Sequence, residues 1–482
     1  MRVLRAALAL TGAAALLLGC ASPGAPHRPV ALVAPASLGL ANSASTLVTP
    51  RWWATLGDAT LNRLVEQALQ TSPSMAMAQA RIARAQALTE LSRSAAGAQA
   101  RLDADTSAQR YSANSLLPPP IAGSVRSSAT LLAGLNWSAD LYGAQAADLA
   151  SALGQTRAAQ TDAAAAATVL AAQISQAYVG LARLLAQRDL VQRTLAQHQA
   201  ILALTRERVA AGLDSRVQLT QAEGALPDTR AQLEAIAEQL MRVRRQIALL
   251  SGQTPNALDE LSPRLDALTL DATPANLGAD LLARRPDLVA ARWRVESALH
   301  DIAVSQTRFY PNINLGAFVG LSALGLDKLL QAGSLQAGLT PALHLPLFDA
   351  GRLRAQLGAR QAELDLALAQ YNAAVVEAVK QAGDAIGSEQ SLQRQQREQS
   401  DALASAQAAH AVAQQRFGAG LSGYLVVLHS ESQLLAQQRQ AAELRSGLLD
   451  ARLTLLQALG GGWNDDTGAS VATLHTGAPT QP

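Results

Sequence analysis

Long stretches of the chain carry apolar and small residues in a helical pattern with very few prolines. One such stretch runs from about residue 140 to 211, and a second follows from about 215 to 250. At a rise of 1.5 Å per residue, a helix of roughly 70 residues is on the order of 100 Å long. A helix of that length needs a sustained packing partner, so the pattern predicts long helices paired as hairpins.

In the second stretch, the apolar residues that would form the packing surface are evenly spaced. Apolar residues recur at every seventh position, namely Leu219, Leu226, Leu233, Leu240 and Ile247. This is the spacing of a coiled coil. Pro227 interrupts the stretch, and we expect it to kink or loosen the helix because proline lacks a backbone donor.

Two segments before the first long helix change to a two-residue period, in which apolar side chains alternate with small or polar ones. They cover about residues 101–112 and 127–138, separated by the prolines at 118–120. Such alternation is typical of strands in a transmembrane β-barrel. It leaves open which set of side chains faces lipid and which faces the lumen.

The second half of the chain repeats the first at an offset of about 208 residues. Arg208–Leu213 aligns with Arg416–Leu421, and a second set of heptad positions follows at Val427, Leu434, Ala441, Leu448 and Leu455. The repeat adds strands at about 311–320 and 335–346 and long helices at about 350–418 and 424–459. Each half is therefore predicted as helix, strand, strand, long helix, glycine turn and helix.

Four strands are too few to close a barrel, because small closed barrels need about eight. Lipid tolerates no open sheet edge, so we expect an oligomer. Three chains with four strands each would supply twelve. The predicted fold is thus mainly α with a transmembrane β part, a two-fold internal repeat, and a trimeric barrel on a long α-helical barrel.

The N-terminus has the pattern of a bacterial signal peptide. Arg2 and Arg5 precede an apolar run, residues 6–18, that is too short to span a bilayer. The run ends in Leu17-Leu18-Gly19-Cys20, and Cys20 is the only cysteine, so it can form no disulfide within the chain. The pattern is similar to a lipobox, in which the thiol is acylated and the chain is cut before it. The alternative is an ordinary signal peptide with an incidental cysteine.

Composition and charge argue against several classes of protein. A net charge of +2 and the absence of a dense Lys/Arg run do not suit a nucleic-acid-binding protein. The seven histidines are scattered without metal-ligand spacing, and no nucleophile elbow, phosphate loop or HExxH motif occurs. We therefore predict no catalytic residue, no metal and no cofactor, and no enzyme. No other stretch approaches 18 apolar residues, so we expect any membrane crossing by the mature chain to be a β-barrel.

Several short motifs follow one another along the chain: Cys20, Ala283-Arg284-Arg285-Pro286-Asp287-Leu288, Arg308-Phe309-Tyr310-Pro311, the segment 346–351 and the segment 416–425. In this order, they resemble the motifs of the TolC-type outer-membrane factors, specifically the lipoprotein branch that includes OprM and the NodT-like efflux lipoproteins. The resemblance extends from Trp52 to about Gly461.

The resemblance implies a lipid-anchored homotrimer in the outer membrane of a Gram-negative bacterium, extending into the periplasm. It would passively conduct drugs or small toxic compounds received from an inner-membrane transporter, often of the RND type, and a periplasmic adaptor (membrane fusion) protein. A duct for type I protein secretion shares this architecture and is the alternative function. A purely structural coiled-coil lipoprotein would not explain four strands placed alike in both halves.

We expect the following regions in chain order: a signal peptide at 1–19, a lipid-anchored arm at 20–50, a first repeat at 51–252, an equatorial linker at 253–285, a second repeat at 286–460 and a disordered tail at 461–482.

The two hairpins are expected to turn at Gly212 and Gly420, because glycine adopts the left-handed conformation that ends a helix. The resemblance implies that the second turn closes the duct at its periplasmic entrance, often with an aspartate ring. This chain has Ser422 at the matching position, whereas the first turn keeps Asp214. That departure argues against a strongly acidic ring.

We therefore expect the closed entrance to be held by hydrogen bonds between neighbouring protomers, made by Arg416, Ser422 and Tyr424. The alternative is that these residues only form a tight turn. At the opposite ends of the long helices, aromatic residues flank the strand ends: Tyr142, Phe309, Tyr310 and Phe348. We expect an aromatic girdle at the lipid interface there; hydrophobic packing at the barrel base is the alternative.

Overall fold

A computed structural model describes residues 22, 24, 27–33, 48–114, 116, 118–269 and 284–464. The expected signal peptide and Cys20 lie outside the described residues, as do residues 270–283 and the tail from 465 onward.

The described part of the chain is mainly helical, with one small sheet. The helices are α1 (Ala59–Thr71), α2 (Pro73–Ala95), α3 (Ala144–Ala210), α4 (Arg216–Leu250), α5 (Pro286–Thr307), α6 (Arg352–Gly418) and α7 (Tyr424–Ala458). The strands are β1 (Gln99–Arg110), β2 (Val125–Ala139), β3 (Asn312–Leu324) and β4 (Leu335–His344). Short 3-10 turns lie at Trp52–Leu56, Leu265–Ala267, Leu326–Lys328 and Ala332–Ser334.

The chain divides into two compact units, and the helices α3 and α6 contribute residues to both. The first unit contains residues 82–159 and 291–371 with the described arm residues up to 32. The second contains 33–81, 160–290 and 372–482 as far as they are described.

The sheet of the first unit is fully antiparallel in the order β1-β2-β3-β4. Its register places Leu102 opposite Ala133, Ala133 opposite Val319 and Val319 opposite Ala337. Directly opposite residues of antiparallel strands point to the same face, and successive residues alternate between faces. The four-residue row therefore lies on one face throughout.

The register separates two chemically different faces. One, called here the apolar face, carries Leu131, Ala133, Leu135 and Trp137 of β2 and Leu315, Ala317, Val319 and Leu321 of β3. The other, called here the polar face, carries Arg101, Asp103, Asp105, Ser128, Thr130, Asn136, Asn314 and Thr340, with Leu132, Phe318 and Leu324 as large apolar exceptions.

Strand ends differ from expectation by a few residues. β1 begins at Gln99 and ends at Arg110, two residues earlier than expected at each end. β3 extends to Leu324, four residues further than expected, because residues up to Leu324 find hydrogen-bonding partners on β2, ending with Ser128. That extension depends on the neighbouring strand and not on the local pattern.

The long helices pair as expected from their heptads, α3 with α4 and α6 with α7. His198 of α3 bonds to Thr229 of α4 (2.9 Å), and His410 of α6 bonds to Ser430 of α7 (3.0 Å). α4 is one uninterrupted helix from Arg216 to Leu250 with Pro227 inside it, so the proline does not break the hairpin.

The core of the second unit lies where the short N-terminal elements cover the middle of α3. Trp52, Leu56 and Leu61 are fully buried against the segment 170–185 of α3, together with Leu449 and Leu453 of α7. Asp58 caps α1 by accepting from the amides of Thr60 and Leu61. The Tyr178 hydroxyl donates to the same carboxylate at 2.8 Å, which ties α1 to α3.

The linker after α4 is held by arginines that donate to its backbone carbonyls. Arg445 bonds to the carbonyls of Leu265, Asp266 and Leu268, and Arg244 donates twice to that of Leu261. The arginines thus provide hydrogen bonds to backbone carbonyls that are not paired within a sheet or a helix.

One expectation about the chain's hydrophobicity needs correction. We expected no internal stretch apolar enough to cross a membrane, but one window of α3 is long and apolar enough by composition. Most of that window is buried inside the protein, which is the property of a core helix.

Candidate functional site

Both hairpin turns use a glycine in the left-handed conformation. Gly212 has φ 73° and Gly420 has φ 72°. In each turn the amide after the glycine bonds back to the carbonyl of an arginine, Leu213 to Arg208 and Leu421 to Arg416, at 2.8 Å. This bond satisfies one of the backbone carbonyls at the end of the first helix of each hairpin, which have no partner within the helix.

The first turn is held by an ion pair within the hairpin. The Arg208 guanidinium donates to both oxygens of Asp214, at 2.7 and 3.2 Å, and the Asp214 side chain is only 13% exposed. The hydrogen bond from Arg208 is the main reason that the pKa of the Asp214 carboxyl is lowered from its ordinary value. Asp214 is therefore engaged within its own hairpin.

The second turn lacks this pair, because Ser422 replaces the carboxylate. Arg416, the counterpart of Arg208, makes no side-chain hydrogen bond or ion pair to any residue that the structure describes. The Ser422 Oγ is buried and has no hydrogen-bond partner among the described residues. Tyr424 contacts Phe417 with ring centroids 5.1 Å apart. Polar groups of the second turn therefore find no hydrogen-bond partner among the described residues of the protomer.

The polar face of the sheet carries a network of hydrogen bonds between strands. Ser107 and Ser128 share a hydrogen bond of 2.8 Å across β1 and β2. Arg101 donates to Asp103 at 2.9 Å, and its side chain lies over Gly134 of the next strand. This face is therefore a surface of hydrogen-bonding groups that link neighbouring strands.

The four aromatic residues at the strand ends do not form one group. Phe309 is 4% exposed and packs against Leu353 and Leu357, so it belongs to the protein core and not to a lipid-facing girdle. Tyr142 and Tyr310 are each about half exposed and stack on one another, with ring centroids 4.8 Å apart and planes 15° apart. Phe348 is 90% exposed.

The stacked tyrosines line a cavity of about 300 Å³ in the first unit, a feature that sequence reasoning missed. Arg308, Arg352 and His344 also line it. These residues come from three separate segments, and the signals in the sequence were the motif at 308–311, which contains Arg308, and the aromatic residues at the strand ends.

The chain is similar to outer-membrane efflux proteins of known sequence and structure. The family model of the outer membrane efflux protein matches residues 64–253 and 277–461. The multidrug resistance outer membrane protein MdtQ of Escherichia coli O157:H7 is 31% identical over 428 residues, covering 86% of this chain and 88% of that protein. The fusaric acid resistance protein FusA of Burkholderia cepacia is 33% identical over 369 residues, covering 74% and 69%. The crystal structure of the outer membrane protein VceC of Vibrio cholerae superposes with a TM-score of 0.78 at 32% identity, covering 86% of this chain and all of that one.

The chain belongs to the outer membrane efflux protein family.

This membership confirms the resemblance to TolC-type channels, while the lipoprotein branch stays a prediction. The efflux protein thus belongs to a family of outer-membrane channels, which is not a family of enzymes. Among the residues that the structure describes, no group of three or more His, Cys, Asp or Glu is placed to hold a metal ion.

Proposed function

We propose that three copies of the efflux protein close a twelve-stranded barrel in the outer membrane and conduct drugs and other small toxic compounds outward. The observation that carries the proposal is the four-stranded sheet with one apolar and one polar face. An apolar face suits lipid and a polar face suits a water-filled lumen. The outer edges of β1 and β4 are free within the described protomer, and pairing them between protomers would remove every open edge.

The cargo and the partners follow from the family. MdtQ is named for multidrug resistance and FusA for fusaric acid resistance, so we propose small toxic compounds as the cargo. We propose that an inner-membrane transporter of the RND type and a periplasmic adaptor deliver them, because a passive channel supplies no energy itself. The described residues between 51 and 252 and between 286 and 460 would be two copies of one repeat unit, which the two-segment family match supports.

We propose that Cys20 carries the lipid anchor. The arm that follows lies along α6: Arg354 donates to the carbonyl of Ser22, and Asp365 accepts from the amide of Val30, each at 3.0 Å. Since α6 follows β4 directly, these contacts support attachment of the arm beside the periplasmic end of the sheet.

We also propose that the second hairpin turn forms the resting constriction. Arg416 and Ser422 have hydrogen-bonding groups unmet by the described residues of their own protomer, so neighbouring protomers could supply the partners. Burying polar groups without partners is unfavourable, which would drive those contacts to form. Tyr424, held against Phe417, would join them. The exposed Phe348 is the remaining candidate for the lipid interface.

Assembly and transport test the proposal together. The full-length protein is expressed in a Gram-negative host that lacks its own efflux channels, together with a cognate adaptor and pump. We expect a detergent-solubilised species of three mature protomers by light scattering, each smaller than the 50.1 kDa full chain by its signal peptide, and reduced accumulation of a fluorescent drug. A monomeric protein, or a trimer that leaves drug accumulation unchanged with a working adaptor and pump, would contradict the proposal.

A further inference from the structure

The cavity beside the stacked tyrosines lies in the first unit, at the ends of β2, β3 and β4. Among its lining residues are Ser138, Asn312 and His344, the terminal residues of their strands on the polar face. In the proposed barrel that face lines the lumen, so the inference below rests on the proposed function. Solutes leaving through the channel would then pass this cavity.

The aromatic part of the cavity is preformed. Tyr142 and Tyr310 stack with their planes 15° apart, and each side chain is about half exposed. An exposed, ordered ring pair offers a flat apolar surface on which a further ring can stack with little loss of conformational freedom. This part of the cavity favours planar, aromatic solutes.

The charged part of the cavity favours anions. Arg308 makes no side-chain hydrogen bond or ion pair with the residues that the structure describes. Arg352, the second arginine of the lining, adds another positive charge. The carboxylate of Asp140 also lines the cavity, and it accepts from the amides of Gln145 and Ala146 at the start of α3. Its negative charge offsets one of the two arginines of the lining, which leaves one positive charge in excess. Guanidinium groups with free donors bind carboxylates through paired hydrogen bonds.

We propose that this cavity is a transient binding site for amphipathic aromatic carboxylates on the lumen wall. The ring of the solute stacks on the pair formed by Tyr142 and Tyr310, and its carboxylate is held by Arg308 with Arg352 adding electrostatic attraction. A volume of about 300 Å³ is at the small end of ligand pockets, which suits a compound of one or two rings. A shallow, half-exposed site gives weak binding, which a conducting channel needs for release.

Single-channel recording of purified trimers in planar bilayers tests the site, with 1-naphthoate as the anionic probe and 1-naphthylmethylammonium as the cation with the same ring. We expect brief current blocks by naphthoate and much weaker blocks by the cation. Arg308→Gln should weaken the naphthoate block about tenfold, because a charge-assisted hydrogen bond is lost. Tyr310→Leu should weaken it severalfold through loss of stacking.

Arg101→Gln is the matched control, since it removes the same charge from the polar face of the sheet outside the cavity. Its naphthoate block should match that of the unmodified protein. Equal block by both probes, or equal loss in Arg308→Gln and Arg101→Gln, overturns the site and indicates general lumen electrostatics. Trimers that conduct without naphthoate block overturn the site alone, whereas trimers that insert and carry no current contradict the proposed channel.

Discussion

An arginine introduced at two neighbouring positions of β2 tests which face of the sheet meets lipid. Ala133 lies on the apolar face, in one row with Leu102, Val319 and Ala337. Gly134, the next residue, lies on the polar face opposite Arg101 and Phe318. The two substitutions add the same side chain at nearly the same depth, so their difference measures mainly which face meets lipid.

The expected loss of stability is much larger for Ala133→Arg than for Gly134→Arg. Position 133 is close to the middle of β2, where an arginine facing lipid near the bilayer midplane costs about 2–4 kcal/mol. At Gly134 a Cβ would lie 3.7 Å from the Arg101 Cγ, an ordinary contact, so Gly134→Arg is sterically allowed. Like charges directly opposite one another on adjacent strands cost about 0.2–1 kcal/mol, less in a wet lumen. Ala133→Arg should thus destabilise each protomer by roughly 2–3 kcal/mol more than Gly134→Arg.

The yield of trimers in the outer-membrane fraction, followed by their urea midpoint in liposomes, measures this difference. Ala133→Gln serves as the control for side-chain size without charge and should retain most trimers. Equal yields from Ala133→Arg and Gly134→Arg would refute the assignment of the faces. A greater loss from Gly134→Arg would reverse it.

Three further predictions concern the anchor, the entrance and the core. Cys20→Ser should leave an unprocessed or soluble periplasmic form with some trimers surviving, and labelled palmitate on the Ser variant would contradict acylation at Cys20. Arg416→Ser and Tyr424→Phe should each raise single-channel conductance by removing contacts worth about 0.5–1.5 kcal/mol per neutral hydrogen bond and more for a bond from the charged arginine, and unchanged conductance in both with trimers intact places the gate elsewhere. Burial raises the pKa of Asp450 to about 6, with Arg183 opposing. The native state then binds this proton more tightly than the unfolded chain, so stability falls as pH rises from about 4 to 6. The stability lost by pH 7 is up to about 3 kcal/mol, and Asp450→Asn should remove this loss because the amide carries no charge. Thermal unfolding of the unmodified protein and of the variant, at about pH 4 and at pH 7, measures the difference.

Local periodicity was enough to predict the long helices and the strands. Seven-residue spacing and two-residue alternation are properties of consecutive residues, so the long hairpins and the order of elements follow from the sequence. The glycine turns at Gly212 and Gly420 are equally local, because only the backbone at one residue must adopt positive φ. The motifs in their order sufficed to indicate the efflux family.

The tertiary structure decided which residues meet. Alternation in β2 could not say which face is apolar overall, since that depends on the register with β3, which is more than 170 residues further along the chain. Nothing in the sequence separated the aromatic residues at the strand ends from one another, yet Phe309 is buried while Tyr142 and Tyr310 stack beside Arg308. Contacts between distant segments depend on packing and leave no repeating pattern in the sequence. The cavity could therefore be found only in the folded chain.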